Sequence, residues 1–129
     1  MPINEFDGNE SWGYNPSFHM AIDKAYGSPE ELKKLVNACH KRGIAVIIDV
    51  VYNHATGQNP YFRLWNTKPN AYDGETTSEN AFFQVSPVSE PYLNYFNDIN
   101  HDFSYVKDYM KRINTCLLYT SDAADDSPS

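Results

Sequence analysis

The chain has 129 residues, 41% of them apolar, so it can bury the core of one modest domain. Its formal net charge of −7 argues against nucleic acid or an anionic membrane surface as the main partner, because phosphate groups are bound by clustered Lys and Arg. The two cysteines, Cys39 and Cys116, are too few to predict a disulfide framework or a zinc site. The sequence contains neither a signal-peptide pattern nor a run of about 18 apolar residues, so no membrane span is predicted.

The first well-defined element is a helix predicted from Ser28 to Arg42, after a strand end at residues 1–6 and a loop. Ser28 suits the N-cap, and Glu31 lies three residues later, where its side chain can bond back to the cap. Apolar residues at positions 32, 35, 36 and 39 share one helical face, and Gly43 provides the left-handed stop.

Residues 44–51 (IAVIIDVV) are a β-branched run with almost no polar alternation. This pattern is typical of a strand that is buried on both faces of a parallel sheet. Strand, loop, helix and strand in this order predict α/β architecture, which leaves two alternatives: an open doubly wound sheet or a closed barrel.

A long irregular segment follows, from about residue 55 to residue 102, which far exceeds the usual length of a loop between a strand and a helix. Such an insertion is either functional or disordered, and its many aromatic residues argue against disorder. These aromatics form either an exposed platform for stacking on a ligand or the small core of the insertion. They are Tyr61, Phe62, Trp65, Tyr72, Phe82, Phe83, Tyr92, Tyr95 and Phe96.

A second helix is predicted from about Ser104 to Ile113, with Val106, Tyr109, Met110 and Ile113 on one face. Residues 115–129 abandon this periodicity and become small and acidic. They resemble a translated sequencing adapter, so we predict that this tail is not native to the protein.

Three polar residues lie where the buried strand ends, the edge at which α/β folds bind their ligands. Asp49 needs a cationic or donor partner inside an apolar strand, and it either takes part in a site or ties down a loop. His54 can donate to a ligand, bind a metal or carry a proton. Alternatively, local hydrogen bonds satisfy its ring. Asn53 either offers a carbonyl oxygen to calcium or is a turn residue.

The motif DVVYNH at 49–54, preceded by HKRGIAVII at 40–48, resembles the first conserved region of the alpha-amylase family, glycoside hydrolase family 13. The segments WGYNP at 12–16 and YGSPEEL at 26–32 are also similar to family segments that join the second barrel strand to the third. Several linked motifs in this order carry the resemblance, which covers residues 1–112 and excludes the tail.

The resemblance implies the fold and the site residues. It implies a partial (β/α)8 TIM barrel for residues 1–54 with strands 2 and 3, a domain B insertion at 55–102, a returning barrel helix at 103–114, and the artefact tail at 115–129. By this analogy Tyr14 stacks against the sugar ring at the cleavage subsite and His54 hydrogen-bonds that sugar. Asp49 is an architectural acid bonded to an arginine beyond this chain, and Asn53 and Asp98 are calcium ligands.

The family's three catalytic acids lie on later strands, so this chain is expected to be an inactive piece of a retaining, α-glucan-acting hydrolase. Retaining chemistry needs two carboxyl groups about 5 to 5.5 Å apart. The alternatives are a non-catalytic carbohydrate-binding or interaction homologue and a small independent α/β domain. The sequence leaves open the linkage specificity, the choice between hydrolysis and transglycosylation, the oligomeric state and the compartment. A secreted or periplasmic parent protein is compatible with the analogy alone.

Overall fold

A computed structural model describes residues 1–68, 72, 74–85 and 96–122, with side chains to residue 117. The predictions for Tyr92, Tyr95 and the last seven residues of the tail lie outside the described residues. In chain order the elements are β1 (Asn4–Phe6), β2 (Pro16–Ile22), a 3-10 helix (Lys24–Tyr26), α1 (Pro29–His40), β3 (His54–Ala55), α2 (Pro60–Leu64), β4 (Asn97–Asp98) and α3 (Ser104–Asp122).

The region predicted as a loop before the first helix contains a strand, so that prediction is wrong. β1 pairs with β2 in an antiparallel ladder in which Phe6 lies opposite Pro16. The register shifts twice within β1, and such irregularity removes the strict alternation of apolar and polar residues that marks a strand in a sequence. Gly13 turns the connecting loop with a φ of 89°, and a side chain there would meet the Pro2 carbonyl oxygen at 2.5 Å.

Helix α1 confirms the predicted helix and its start signals. The Ser28 side chain accepts from the Glu31 amide, and the Glu31 carboxylate accepts from the Ser28 amide, which forms a complete capping box. Gly43 follows the helix with a φ of 70°, as the left-handed stop requires. Val36 is fully buried, whereas Leu35 on the predicted apolar face is 58% exposed.

The buried strand predicted at residues 44–51 is not formed, which is the main correction to the predicted fold. The segment has no regular secondary structure, and Ile47 is 92% exposed. A strand of a parallel sheet needs a hydrogen-bonded neighbour, and the two described sheets, β1 with β2 and β3 with β4, do not include this segment. Its apolar run is therefore left without a partner among the described residues.

The core of the described structure lies in the insertion and against α3. Five buried residues pack together: Ala55, Phe62, Phe83, Ile99 and Val106. Aromatic rings of the insertion therefore supply core, which confirms the packing alternative for Phe62 and Phe83. A short antiparallel pairing of β3 with β4 joins the two ends of this region. In it, His54 lies opposite Asp98 and Ala55 opposite Asn97.

Helix α3 confirms the predicted apolar face but continues beyond the predicted end at Ile113. Val106, Tyr109 and Ile113 are buried, and Met110 packs against the core. The helix extends to Asp122 because residues 114–122 contain neither Gly nor Pro to stop it. Within the described part of the chain, none of the helices combines the length and apolarity needed to cross a bilayer.

Candidate functional site

The segment that carries Asp49, Asn53 and His54 is held through its backbone carbonyls. The His19 ring contacts the Val51 carbonyl oxygen at 2.8 Å from its Nε2 atom, and His101 contacts the Tyr52 carbonyl oxygen at the same distance. The Ile99 amide donates to the Asn53 carbonyl at 2.9 Å. Three consecutive carbonyls are thus bonded, and the chain then enters β3 at His54.

Asp49 and Tyr14 come together, 35 residues apart in sequence. The Tyr14 hydroxyl donates to Asp49 Oδ2 at 2.8 Å, and the amino group of Met1 lies 3.2 Å from the same oxygen. The hydrogen bond from Tyr14 lowers the pKa of Asp49, and it raises the pKa of Tyr14 because it stabilises the protonated hydroxyl. Asp49 thus has a hydrogen-bond donor in Tyr14, although its side chain is 42% exposed and not buried in an apolar strand.

His54 is anchored to the same tyrosine. Its Nε2 atom lies 2.8 Å from the Tyr14 carbonyl oxygen, so Nε2 carries the proton and donates it. Its Nδ1 atom is then an acceptor, 3.4 Å from the Asn53 side-chain nitrogen. The three residues Tyr14, Asp49 and His54 therefore form one connected surface group, with the Tyr14 side chain 47% exposed.

The two predicted calcium ligands lie on the two segments joined by the pairing of β3 with β4, but the residue opposite Asp98 is His54 rather than Asn53. Asn53 immediately precedes His54, and His54 lies opposite Asp98. Burial raises the pKa of Asp98, while the nearby His101 and His54 act to lower it. An amide oxygen and a carboxylate oxygen suit calcium, which takes six to eight oxygen ligands. Within the described residues, no cluster of three or more His, Cys, Asp or Glu side chains is arranged for a metal.

The aromatic residues divide between this surface and the core. The ring of Phe96 lies 5.4 Å from the His54 ring, and the Phe96 side chain is 46% exposed. In contrast, Tyr61 and Phe82 stack on each other at 4.1 Å, and both pack against the buried cluster. Among these, Phe96 is the aromatic of the insertion that lies beside His54, where the irregular segment 49–53 meets β3, a junction that we call the strand end.

His19 and His101 were not singled out from the sequence as site residues, although they hold the strand end. His19 lies in a stretch that gave no strand signal, and His101 belongs to none of the motifs that carry the resemblance. A histidine that donates to a distant carbonyl leaves no local pattern, so the sequence offered no signal for either contact.

Comparison with known proteins identifies the family. A family model of the alpha-amylase catalytic domain matches residues 2–114. The chain is 48% identical over 61 residues to malto-oligosyltrehalose trehalohydrolase of Saccharolobus solfataricus, covering 47% of this chain and 11% of that relative. It is 44% identical over 54 residues to the 1,4-alpha-glucan branching enzyme of Nitrosospira multiformis, covering 42% of this chain and 7% of that relative. The chain thus spans about a tenth of the length of these curated relatives.

Solved structures of the family share the fold. The type III pullulan hydrolase from Thermococcus kodakarensis superposes with a TM-score of 0.70 at 22% identity, covering 93% of this chain and 22% of that one. Eubacterium rectale Amy13B gives a TM-score of 0.67 at 23% identity, covering 93% of this chain and 26% of that one. At these identities the likeness shows the fold alone. The match of the family model over most of the sequence shows that the chain belongs to the alpha-amylase family, glycoside hydrolase family 13.

Proposed function

We propose that this chain forms the sugar-binding strand end of a retaining, α-glucan-acting glycoside hydrolase, as part of a (β/α)8 barrel with residues 55–102 as its domain B. One observation carries the proposal: the two residues expected to contact sugar, Tyr14 and His54, are joined by a hydrogen bond of 2.8 Å. The bond runs from the His54 ring to the Tyr14 backbone carbonyl and so fixes the His54 ring on the residue whose phenol is 47% exposed.

The connected group has the chemistry needed to bind a pyranose. The Tyr14 ring offers a flat apolar face for the sugar, while Asp49 holds its hydroxyl. His54 Nδ1 makes only a long contact of 3.4 Å to Asn53, so a sugar hydroxyl can donate to it in place of that contact. The ligand class follows from the family, since one relative is named for its 1,4-alpha-glucan substrate.

Hydrolysis by this chain alone is not part of the proposal. Retaining glycosidases place two carboxyl groups about 5 to 5.5 Å apart across the sugar bond. Asp49 is bonded to the Tyr14 hydroxyl, an architectural role, and we assign Asp98 to calcium. We therefore expect the chain to bind α-glucan and to release no reducing sugar from soluble starch or pullulan, with catalysis belonging to the parent protein.

Binding is tested by titrating the chain with maltohexaose and following amide chemical shifts by NMR, with cellohexaose as the β-linked control. We expect shifts at Tyr14 and His54 with maltohexaose alone, and their loss in His54→Ala and Tyr14→Ala. His40→Ala, an exposed histidine at the end of α1, is the matched control and should bind normally. Equal binding by all variants would refute the proposal.

We also propose that Asn53 and Asp98 supply two oxygen ligands to calcium. The donor types suit the ion, and the remaining ligands would come from water or from outside the described residues. Bound calcium would tie the strand end to β4 and so stabilise the folded chain. Calcium should raise the unfolding midpoint of the wild type and of Asp102→Asn, an exposed control. It should raise the midpoint of Asp98→Asn clearly less, because the amide oxygen of Asn carries no negative charge, and an equal rise in all three proteins would remove Asp98 from the site.

A further inference from the structure

His19 on β2 is a buried polar residue to which the function proposed above assigns no role. Its side chain is 1% exposed, and its ring lies 6.4 Å from the rings of both Tyr52 and Tyr109. Burial among these rings lowers the pKa of His19 to about 4, so the imidazole is neutral at neutral pH. A neutral imidazole has one donor nitrogen and one acceptor nitrogen.

The donor nitrogen is identified by its contact. Nε2 lies 2.8 Å from the Val51 carbonyl oxygen, which can only accept, so Nε2 carries the proton. The segment at 51–54 has no regular secondary structure before β3 begins at His54. Each of its carbonyls therefore needs a separate hydrogen-bond donor. His19 is the donor to the Val51 carbonyl, three residues before His54.

The acceptor nitrogen, Nδ1, faces the interior. It is buried without a hydrogen-bond partner among the described residues, and the Tyr109 hydroxyl of α3 is in the same condition. The rings of His19 and Tyr109 meet edge to face at 6.4 Å.

Strand β2 also holds the segment that follows His54. The Thr56 amide donates to the Pro16 carbonyl at 2.9 Å, and the Asn59 side chain donates to the Ser17 carbonyl at 3.1 Å. β2 is thus bonded to the chain on both sides of His54, and His19 provides the contact on the N-terminal side.

We propose that His19 is a positioning residue for the sugar-binding strand end: its Nε2–H donates to the Val51 carbonyl and holds the segment 51–54 so that His54 faces the sugar. This inference rests on the function proposed for His54. His19 itself does not contact the ligand, because it is buried behind the segment.

The first test compares His19→Gln with His19→Met in the 129-residue chain. The two side chains have similar length, but only Gln retains an N–H donor near the position of Nε2. We expect His19→Gln to bind maltohexaose within about threefold of the wild type and His19→Met to bind about tenfold or more weakly, with an unchanged far-ultraviolet dichroism spectrum in both. Equal binding by both variants and the wild type, or equal loss in both, would overturn the proposal.

The second test needs no sugar and therefore separates this inference from the proposed function. The carbonyl ¹³C shift of Val51 and the ring shifts of His54 should change in His19→Met and return towards the wild-type values in His19→Gln. If the wild type does not bind maltohexaose but these shifts behave as stated, the sugar-binding function fails and the positioning contact stands.

A third measurement covers the case in which His19→Met does not fold. Long-range ¹H–¹⁵N NMR on the wild type reports which imidazole nitrogen carries the proton. The proposal requires the Nε2–H tautomer of His19 at neutral pH, with Nδ1 unprotonated. A ring protonated on Nδ1 instead could not donate to Val51, and this result would overturn the proposal.

Discussion

In this chain, several residues with the strongest sequence patterns are exposed, whereas a region with little pattern is buried. Residues 28–51 have the clearest helical and strand patterns, yet Leu35, Ile44 and Ile47 in them are more than half exposed. The insertion from residue 55 onwards has little periodicity, yet it buries Phe62 and Phe83.

Local contacts are enough to form a capped helix, whereas a strand and its burial depend on the partners that are present. Helix α1 forms because Ser28 and Glu31 cap it, and these contacts are local. The run at 44–51 needs flanking strands, and the described sheets do not provide them. The insertion packs its own aromatics against α3 and so completes its core with residues of this chain.

Removing core from the insertion should have the largest effect. Phe62 is fully buried, so Phe62→Ala should lower the free energy of unfolding by about 3–5 kcal/mol through lost burial and the cavity left behind. Ile47→Ala, at a side chain 92% exposed, should change it by less than about 0.5 kcal/mol. Urea denaturation of both variants measures this contrast. Similar losses in the two variants would show that the segment at 44–51 is buried in solution.

Acid should destabilise the chain through His19. The pKa of His19 falls from 6.5 to about 4 on folding, chiefly because of burial, with His54 and His101 also disfavouring the charge. Between these values the unfolded chain binds a proton that the folded chain does not, so stability is complete above pH 6.5 and is lost as pH falls towards 4, by about 3 kcal/mol in all. Urea unfolding of the wild type and His19→Gln at a series of pH values should show a shallower loss in the variant; parallel curves would contradict this.

Loss of the capping box should have a smaller effect. Ser28→Ala removes the acceptor for the Glu31 amide and should lower the free energy of unfolding by about 1 kcal/mol. Ser28→Asp retains an acceptor at the cap and should stay near the wild type. Thermal unfolding followed by dichroism measures both variants, and an equal decrease in the two would mean that the cap does not stabilise α1.

The smallest expected effect concerns Asp49 and Tyr14. Tyr14→Phe removes the hydroxyl that donates to Asp49, so the pKa of Asp49 should rise towards its ordinary value. A pH titration of the Asp49 carboxyl ¹³C signal measures the change, with Tyr26→Phe as a control at another exposed tyrosine. An unchanged titration in Tyr14→Phe would show that this hydrogen bond is absent in solution.

The elements that the sequence predicts correctly are those that depend on local contacts. The caps of α1 and the apolar face of α3 depend on residues a few positions apart, and the structure confirms both. The expectation that Tyr14 and His54 share a site came from a resemblance, because no local rule links residues 40 positions apart. The bond between Tyr14 and Asp49 was not predicted, since the resemblance implies an arginine partner for Asp49. The ladder of β1 with β2 and the bond from His19 to Val51 were missed, since register shifts hide the first and a single long-range contact leaves no pattern.

The most direct test of the account is an NMR measurement of intermolecular nuclear Overhauser effects between maltohexaose and the chain. The account predicts contacts from glucose ring protons to the Tyr14 ring and to His54. It predicts none to Tyr61 or Phe82, whose rings stack on each other and pack against the core. Contacts confined to Tyr61 and Phe82, or no contact with Tyr14 and His54, would contradict the assignment of the strand end as the α-glucan-binding site.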